Sequence, residues 1–230
     1  MNFLAHYYFH NDINDNYFTV GLTMPDLLSF HSRKIRLTKR SLKKLILTEK
    51  NKNIRSHITG MIIHLDMDRW FHSSVFFKKN LIFLQNQFIG FNKEKALLPH
   101  FYAHIILEVF IDRYLLTIYP DIADDFYHSY KKFNFCEIIK LFNNMEYFDS
   151  LKFLSFTDDF SNSSFLKEYT DNYSIISILT RVSKRIGIPM VLDVDNDQFA
   201  SFIKTSYNEL KPEIKKLINY VKNSLCVNKN

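Results

Sequence analysis

Apolar residues recur along most of this chain every three to four positions, the period of an amphipathic helix rather than of a strand. The pattern predicts a short helix over about residues 2–10 and a second over about 15–30. Pro25 falls inside the second and should bend or restart it, because proline cannot continue the hydrogen-bond ladder. A basic helix over about 38–50 comes next, then long helices over about 54–75 and 94–118. Another begins at about 121, after Pro120. The segments NFCEIIKLFNN and SSFLKEYTDNYSIISILTRVSKR continue the pattern, the latter stopping where Gly187 and Pro189 coincide. A last helix covers about 195–225, with Pro212 as the place for a bend. The expected fold is therefore a single-domain, all-α bundle.

Composition supports this reading. Only 4 Gly and 5 Pro in 230 residues leave little of the turn punctuation that a β-rich fold draws on. An apolar fraction of 47% is enough to furnish a core. Cys136 and Cys226 form no C-x-x-C pair, which argues against a zinc knuckle or a disulfide framework and fits a reducing compartment. The opening MNFLAHYYFH is interrupted at once by NDINDN, and no apolar run reaches the roughly 18–20 residues of a spanning helix. A cytoplasmic protein without a membrane span is expected.

Two of the predicted helices carry polar donors where the pattern calls for apolar residues. In HIILEVFIDR, on a wheel of about 100° per residue, Glu108 falls about 40° and Asp112 about 80° round from His104. Phe101, Leu107, Ile111 and Leu115 surround them, and His100 lies one turn back. In GMIIHLDMDRWFH, His64, Asp68 and His72 are spaced i, i+4, i+8, with His57 on the same face earlier and Met61, Leu65, Met67 and Phe71 as neighbours. Asp66 and Arg69 take the opposite side. Burying such charges unpaired costs several kcal/mol, or forces neutralisation. An i, i+4 pair lets one helix supply two ligands to one ion, and a divalent cation resolves the burial problem. Imidazole with carboxylate and no thiolate suits Mn, Fe or Zn better than Ca or a structural zinc.

Each residue taken singly has a plainer reading. His57 or His100 reads as a hydrogen-bonded core histidine, His64 with Asp68 as a buried pair, and Glu108 and Asp112 as partners of Arg69 or Arg113. His6 in MNFLAH and Asp26 after Pro25 read as helix-end residues. The same stripe on two long helices is what favours a metal site.

The segments MNFLAH, VGLTMPDLL with Gly21 and Asp26, GMIIHLDMDRWFH and ILEVFIDRYL resemble, in order and spacing, those of the acyl carrier protein phosphodiesterases. The resemblance spans about residues 1–116 and thins beyond, where FLKEYTDNYSIISILTRVSKR is similar to the family's L-x-x-Y helix. That family is an all-α relative of the HD-type metal phosphohydrolases. The resemblance implies Asp26, His64, Asp68 and Asp112 as metal ligands with His6 nearby; His6 and, from its place in the stripe, Glu108 complete the candidate ligand set. It implies Mn²⁺ as cofactor, with Fe, Mg or Zn as alternatives. The implied reaction, part of fatty-acid and lipid metabolism, hydrolyses the phosphodiester that joins 4′-phosphopantetheine to a serine of holo-acyl carrier protein. Asp26 then sits among the catalytic groups, with His104 or His72 as proton donor to the leaving serine. This chain departs from the family at Glu108 and His72, both commonly Asp, and at Met24-Pro25 before Asp26. Residues 119–160 read as an insertion.

Charge suggests the partner. Arg36, Arg40, Lys43 and Lys44 belong to a strip from Arg33 to Arg55 that holds one acid, Glu49. Such a strip would steer an acidic carrier protein, and it equally suits nucleic-acid phosphate or the solvated face of a chain with net charge +6. A second cluster, Arg181, Lys184 and Arg185, suits substrate phosphate or a helix C-terminus. Three functions follow as expectations: the carrier-protein phosphodiesterase, an HD-like hydrolase of a nucleotide or other small phosphoester, and a non-catalytic basic helical binding module.

Overall fold

The computed structural model describes residues 1–91, 98–185, 187 and 196–227, and among these there are helices and 3-10 turns but no strand. In chain order the helices are α1 (Phe3–Tyr8), α2 (Asn16–Gly21), α3 (Met24–His31), α4 (Lys39–Thr48), α5 (Lys52–Ser73), α6 (Val75–Phe91), α7 (Pro99–Ile118), α8 (Ile122–Lys131), α9 (Ser150–Asn162), α10 (Asn172–Arg185) and α11 (Asn196–Val227). The protein is all-α, as the periodicity predicts. No helix among the described residues is long and apolar enough to cross a membrane. The chain groups into two compact units: unit I is Phe3–Trp70 with Asp121–Ser164, and unit II is Met1–Asn2, Phe71–Pro120 and Phe165–Asn230.

Local chemistry explains the element boundaries. The helix expected over about 15–30 is two, because Pro25 restarts the chain in the first turn of α3, where its missing N–H leaves nothing unsatisfied. The Asp15 carboxylate caps α2 by accepting from the N–H groups of Tyr17 and Phe18 at 2.8 and 3.2 Å. Thr38 and Ser41 form a capping box at the start of α4, and Arg55 donates to the Ile46 and Glu49 carbonyls at its other end. Gly187 follows α10 at φ 72°, a left-handed stop that glycine adopts without strain; Pro189 lies outside the described residues. Pro212 lies within α11, which runs through it unbroken.

Four segments differ from the expected pattern. Helix α9 occupies Ser150–Asn162, where no element is predicted, and Phe165–Thr170, within the helix expected over residues 163–185, is a 3-10 turn. Residues 76–93 have no predicted element, yet α6 occupies Val75–Phe91. Its buried Phe77, Leu81, Leu84 and Phe88 keep the i, i+4, i+7, i+11 spacing of a helix seam, and Ser74 Oγ accepts from the Phe77 N–H at 3.1 Å. The segment NFCEIIKLFNN, expected to be helical, forms two 3-10 turns, Phe135–Glu137 and Ile139–Leu141. Residues 94–97 of the helix expected from about 94 lie outside the described residues, and α7 begins at Pro99.

Unit I closes on an aromatic knot in which Phe3 of α1 packs on Phe126 of α8 and Phe160 of α9, with Tyr130 packed at a tilt against the last two. Residues 119–160, read as an insertion, thus contribute α8 and α9 to the core. The sharpest constraint in this unit lies between α2 and α5. A Cβ on Gly21 would lie 2.2 Å from the His57 carbonyl oxygen, and one on Gly60 would lie 2.4 Å from that of Phe18. Backbone meets backbone there. Two α5 histidines consequently reach carbonyls in and just after α2: His57 Nδ1 lies 3.1 Å from Tyr17 O and His64 Nδ1 lies 2.7 Å from Leu22 O. In unit II, α7 is buried on nearly every side, packing on α6 and α11, and Tyr102 on α7 hydrogen-bonds Ser183 of α10 at 2.9 Å.

Two stability measurements test this account. Gly60→Ala would ordinarily gain about 1 kcal/mol of helix propensity. Here the new methyl meets unyielding backbone, so a net loss of about 1–3 kcal/mol is expected in urea unfolding. His57 is wholly buried, and burial holds its pKa down to about 4. Between that value and the unfolded value of about 6.5 only the unfolded chain takes the proton, so stability falls as pH drops through this window, by about 3 kcal/mol in all. Urea unfolding of His57→Gln at several pH values should show a slope smaller by up to about 1.4 kcal/mol per pH unit within that window.

Candidate metal centre

Four donors gather in unit I. His6 comes from α1, Asp26 from the first turn of α3, and His64 and Asp68 from successive turns of α5. One ligand atom each from His6, Asp26 and His64 lie within 4.8 Å of one another. Asp68 joins them, 3.4 Å from His6 Nε2 and 3.9 Å from His64 Nε2, while Asp26 lies 3.6 Å from His64 Nε2. A charge-assisted hydrogen bond would close to about 2.7–2.9 Å. Donors on one ion with bonds of about 2.1 Å stand roughly 3–3.5 Å apart, which the shorter of these separations match.

Both imidazoles are set up as ligands. Because a carbonyl only accepts, the 2.7 Å contact with Leu22 O places the His64 proton on Nδ1 and leaves the Nε2 lone pair toward the carboxylates. His6 stacks on His64 with ring centroids 4.1 Å apart, and it is wholly buried. Neither of its ring nitrogens makes a hydrogen bond. Burial first, and then the neighbouring His64, lower its pKa to about 4, so the ring is neutral and its lone pair available. Burial pushes the Asp68 carboxyl up, but contact with the His6 imidazole outweighs it and holds the group well below the usual carboxylate range.

Unit II holds a second group, made of His72, His104 and Glu108. The two Nε2 atoms are 3.1 Å apart, and Glu108 Oε1 is 3.2 Å from one and 3.0 Å from the other. The amino nitrogen of Met1 lies 3.2 Å from the same oxygen. Burial acts to raise the Glu108 pKa, yet that amino group and the hydrogen bonds from His104 and His72 hold it well below the usual carboxylate range.

The expected ligands thus divide into two sets. His6, Asp26, His64 and Asp68 come together, whereas Glu108 groups with His72 and His104. Asp112, wholly buried on α7, belongs to neither group. His57 is a core histidine on the Tyr17 carbonyl, stacked against Phe133, and His100 is exposed. Arg113 donates to Asn172 Oδ1 at 2.7 Å and covers the Tyr207 ring. Asp66 pairs with Lys39 of α4 at 2.7 Å, opposite the donor face, as the wheel predicts. Tyr130 escaped the sequence reading. Its hydroxyl is buried with no hydrogen bond, and burial followed by the nearby Asp26 charge raises its pKa well above the usual value. With Phe126 at i−4 it looks like one more core aromatic. Its ring also lines a cavity of about 470 Å³ between α8 and α9.

The basic residues fall in two places. Arg36, Arg40, Lys43 and Lys44 are exposed in unit I. On α4, Arg40, Lys43, Lys44 and Leu47 share one face at i, i+3, i+4, i+7, and Leu47 is 82% exposed while Leu42 opposite is buried. In unit II, Arg181 pairs with Glu168 at 3.2 Å and Lys184 is exposed; Arg185 ends α10, its side chain outside the described residues. No family model, curated protein or solved structure matches the chain.

Proposed function

We propose that this chain is a metal-dependent phosphodiester hydrolase whose ion is held by His6, Asp26, His64 and Asp68. The observation that carries the reading is the His6 imidazole, wholly buried, neutral and without a hydrogen bond, stacked on a histidine whose tautomer is already fixed. A structural histidine looks different. His57, equally buried, also leaves its Nε2 without a hydrogen bond, but its Nδ1 has a carbonyl partner and its ring stacks on Phe133 rather than on a second imidazole.

When bound, the ion supplies a Lewis acid for a phosphoryl oxygen and brings the pKa of its water toward neutrality. The chain's own groups do the remaining work. The Leu22 carbonyl holds His64 in its ligand tautomer, and Asp68 stays ionised to balance cationic charge. Asp26 and Asp68 are the members open to solvent, at 29% and 28%, and Asp26 is assigned to accept the proton of the attacking water. His72 and His104, expected as donors to the leaving serine, have their Nε2 atoms turned to Glu108 and take another role below.

Holo-acyl carrier protein is the substrate that the four matching segments suggest, and the exposed α4 face supports it. Three cations beside an uncovered leucine suit an acidic helical protein, whose negative potential would speed encounter and whose apolar side chains would cover Leu47.

Mass spectrometry of holo-carrier incubated with the full chain and Mn²⁺ should show loss of 4′-phosphopantetheine; an unchanged mass with Mn²⁺, Fe²⁺, Mg²⁺ and Zn²⁺ alike, beside turnover of a small phosphoester, would reassign the substrate. Asp68→Ala should lose the ion of this site and more than about 100-fold of the hydrolysis, beyond what a change behind the ligands does. Reversing Arg40, Lys43 and Lys44 to Glu together should lower kcat/KM for the carrier by about 10-fold or more at low salt, with the gap closing as salt rises and small-phosphoester turnover unchanged.

A further inference from the structure

The reading above leaves His72, His104 and Glu108 without a task. We propose that they form a second metal site, for an imidazole-preferring ion such as Zn²⁺, with a metal set of its own.

The three facing atoms form a triangle with edges of 3.0, 3.1 and 3.2 Å. Each Nε2 carries at most one proton, and an ionised carboxylate carries none. If both nitrogens are protonated, two donors face each other at 3.1 Å. If only one is, the bare nitrogen faces the carboxylate with lone pair against lone pair. No arrangement of protons makes all three edges attractive while Glu108 is ionised. A cation at the centre does so at once, because every atom then presents a lone pair to it.

Geometry and access agree. Ligands around a tetrahedral ion at about 2.0–2.1 Å stand roughly 3.3 Å apart, close to all three edges. The Phe77 ring packs edge-on against both imidazoles, with centroids 4.7 Å from His72 and 5.0 Å from His104. It fixes their planes without competing for the nitrogens. His104 and Glu108 stand one turn apart on α7, so one helix supplies two of the ligands. Both histidines are about one-third exposed, 34% and 33%, which gives an ion a way in and leaves a fourth position for water. Two nitrogens and one oxygen favour Zn²⁺ over Mg²⁺ or Ca²⁺. The Met1 amino group, 3.2 Å from Glu108 Oε1, is the competing cation.

Metal counting on the full chain tests the proposal independently of any activity. Chelator-stripped protein, reloaded with Zn²⁺ and desalted, should hold two ions per chain by elemental analysis. His104→Ala and the isosteric Glu108→Gln should each hold one, and Asp68→Ala should also hold one. Reloading with Co²⁺ should give visible bands that Asp68→Ala keeps in part and that Glu108→Gln changes. A single ion per chain, undiminished in His104→Ala and Glu108→Gln but lost in Asp68→Ala, overturns this site and leaves the first standing. A single ion lost in Glu108→Gln and kept in Asp68→Ala upholds this site and overturns the first.

Discussion

The donor set of unit I depends on one contact, the meeting of the α2 and α5 backbones at Gly21 and Gly60. No side chain fits there, so the helices approach until carbonyls of the α2 region come within reach of α5 histidines. Tyr17 O meets His57 and Leu22 O meets His64, seven residues or two turns along the same face. One device orients both rings, yet the outcomes differ. Phe133 stacks against His57, which makes it a core residue that titrates far below neutrality. The Nε2 edge of His64 instead looks toward Asp26, Asp68 and the His6 ring, which makes it a candidate ligand. What lies opposite Nε2 decides the role.

Burial then sharpens the chemistry. Two carboxylates beside two imidazoles would be an expensive core in a protein without an ion, since charges withdrawn from water cost several kcal/mol each. The arrangement keeps Asp68 ionised and His6 neutral, the protonation states in which both groups offer lone pairs. A purely structural cluster would be expected to tighten until its hydrogen bonds closed. Here the separations stay at 3.4–3.9 Å, and the buried His6 nitrogens make no hydrogen bond at all.

Much of this was legible in the sequence, for reasons that also mark the limits of reading it. Helical period, the restart at Pro25 and the stop at Gly187 are local properties, set within one or two turns, and they hold. The i, i+4 pairs His64–Asp68 and His104–Glu108 are local in the same way. Helix α6 was missed because its seam of Phe77, Leu81, Leu84 and Phe88 lies in a stretch where apolar residues also occupy exposed positions such as Ile82 and Ile89, blurring the moment. Partnership between elements is not local. Nothing in the spacing of His64, Asp68 and His72 says that the third joins a different group from the first two. Nor does a Tyr four residues after Phe126 announce a hydroxyl near Asp26 without a hydrogen bond.

The departures from the resembled pattern follow the same division. Asp26, His64 and Asp68, which keep the pattern, sit together with His6, while Asp112, which also keeps it, belongs to neither group. His72 and Glu108, which break it, sit together with His104. Had the two changes been scattered, they would read as separate erosions of one site. They fall within one triangle. An imidazole in place of a carboxylate removes one negative charge and adds a nitrogen donor, and the extra methylene of Glu108 extends its reach to where Oε1 lies within 3.2 Å of both rings. On the proposed second site, the two differences from the resembled pattern meet at one point and raise the nitrogen content there, which suits an ion that prefers imidazole.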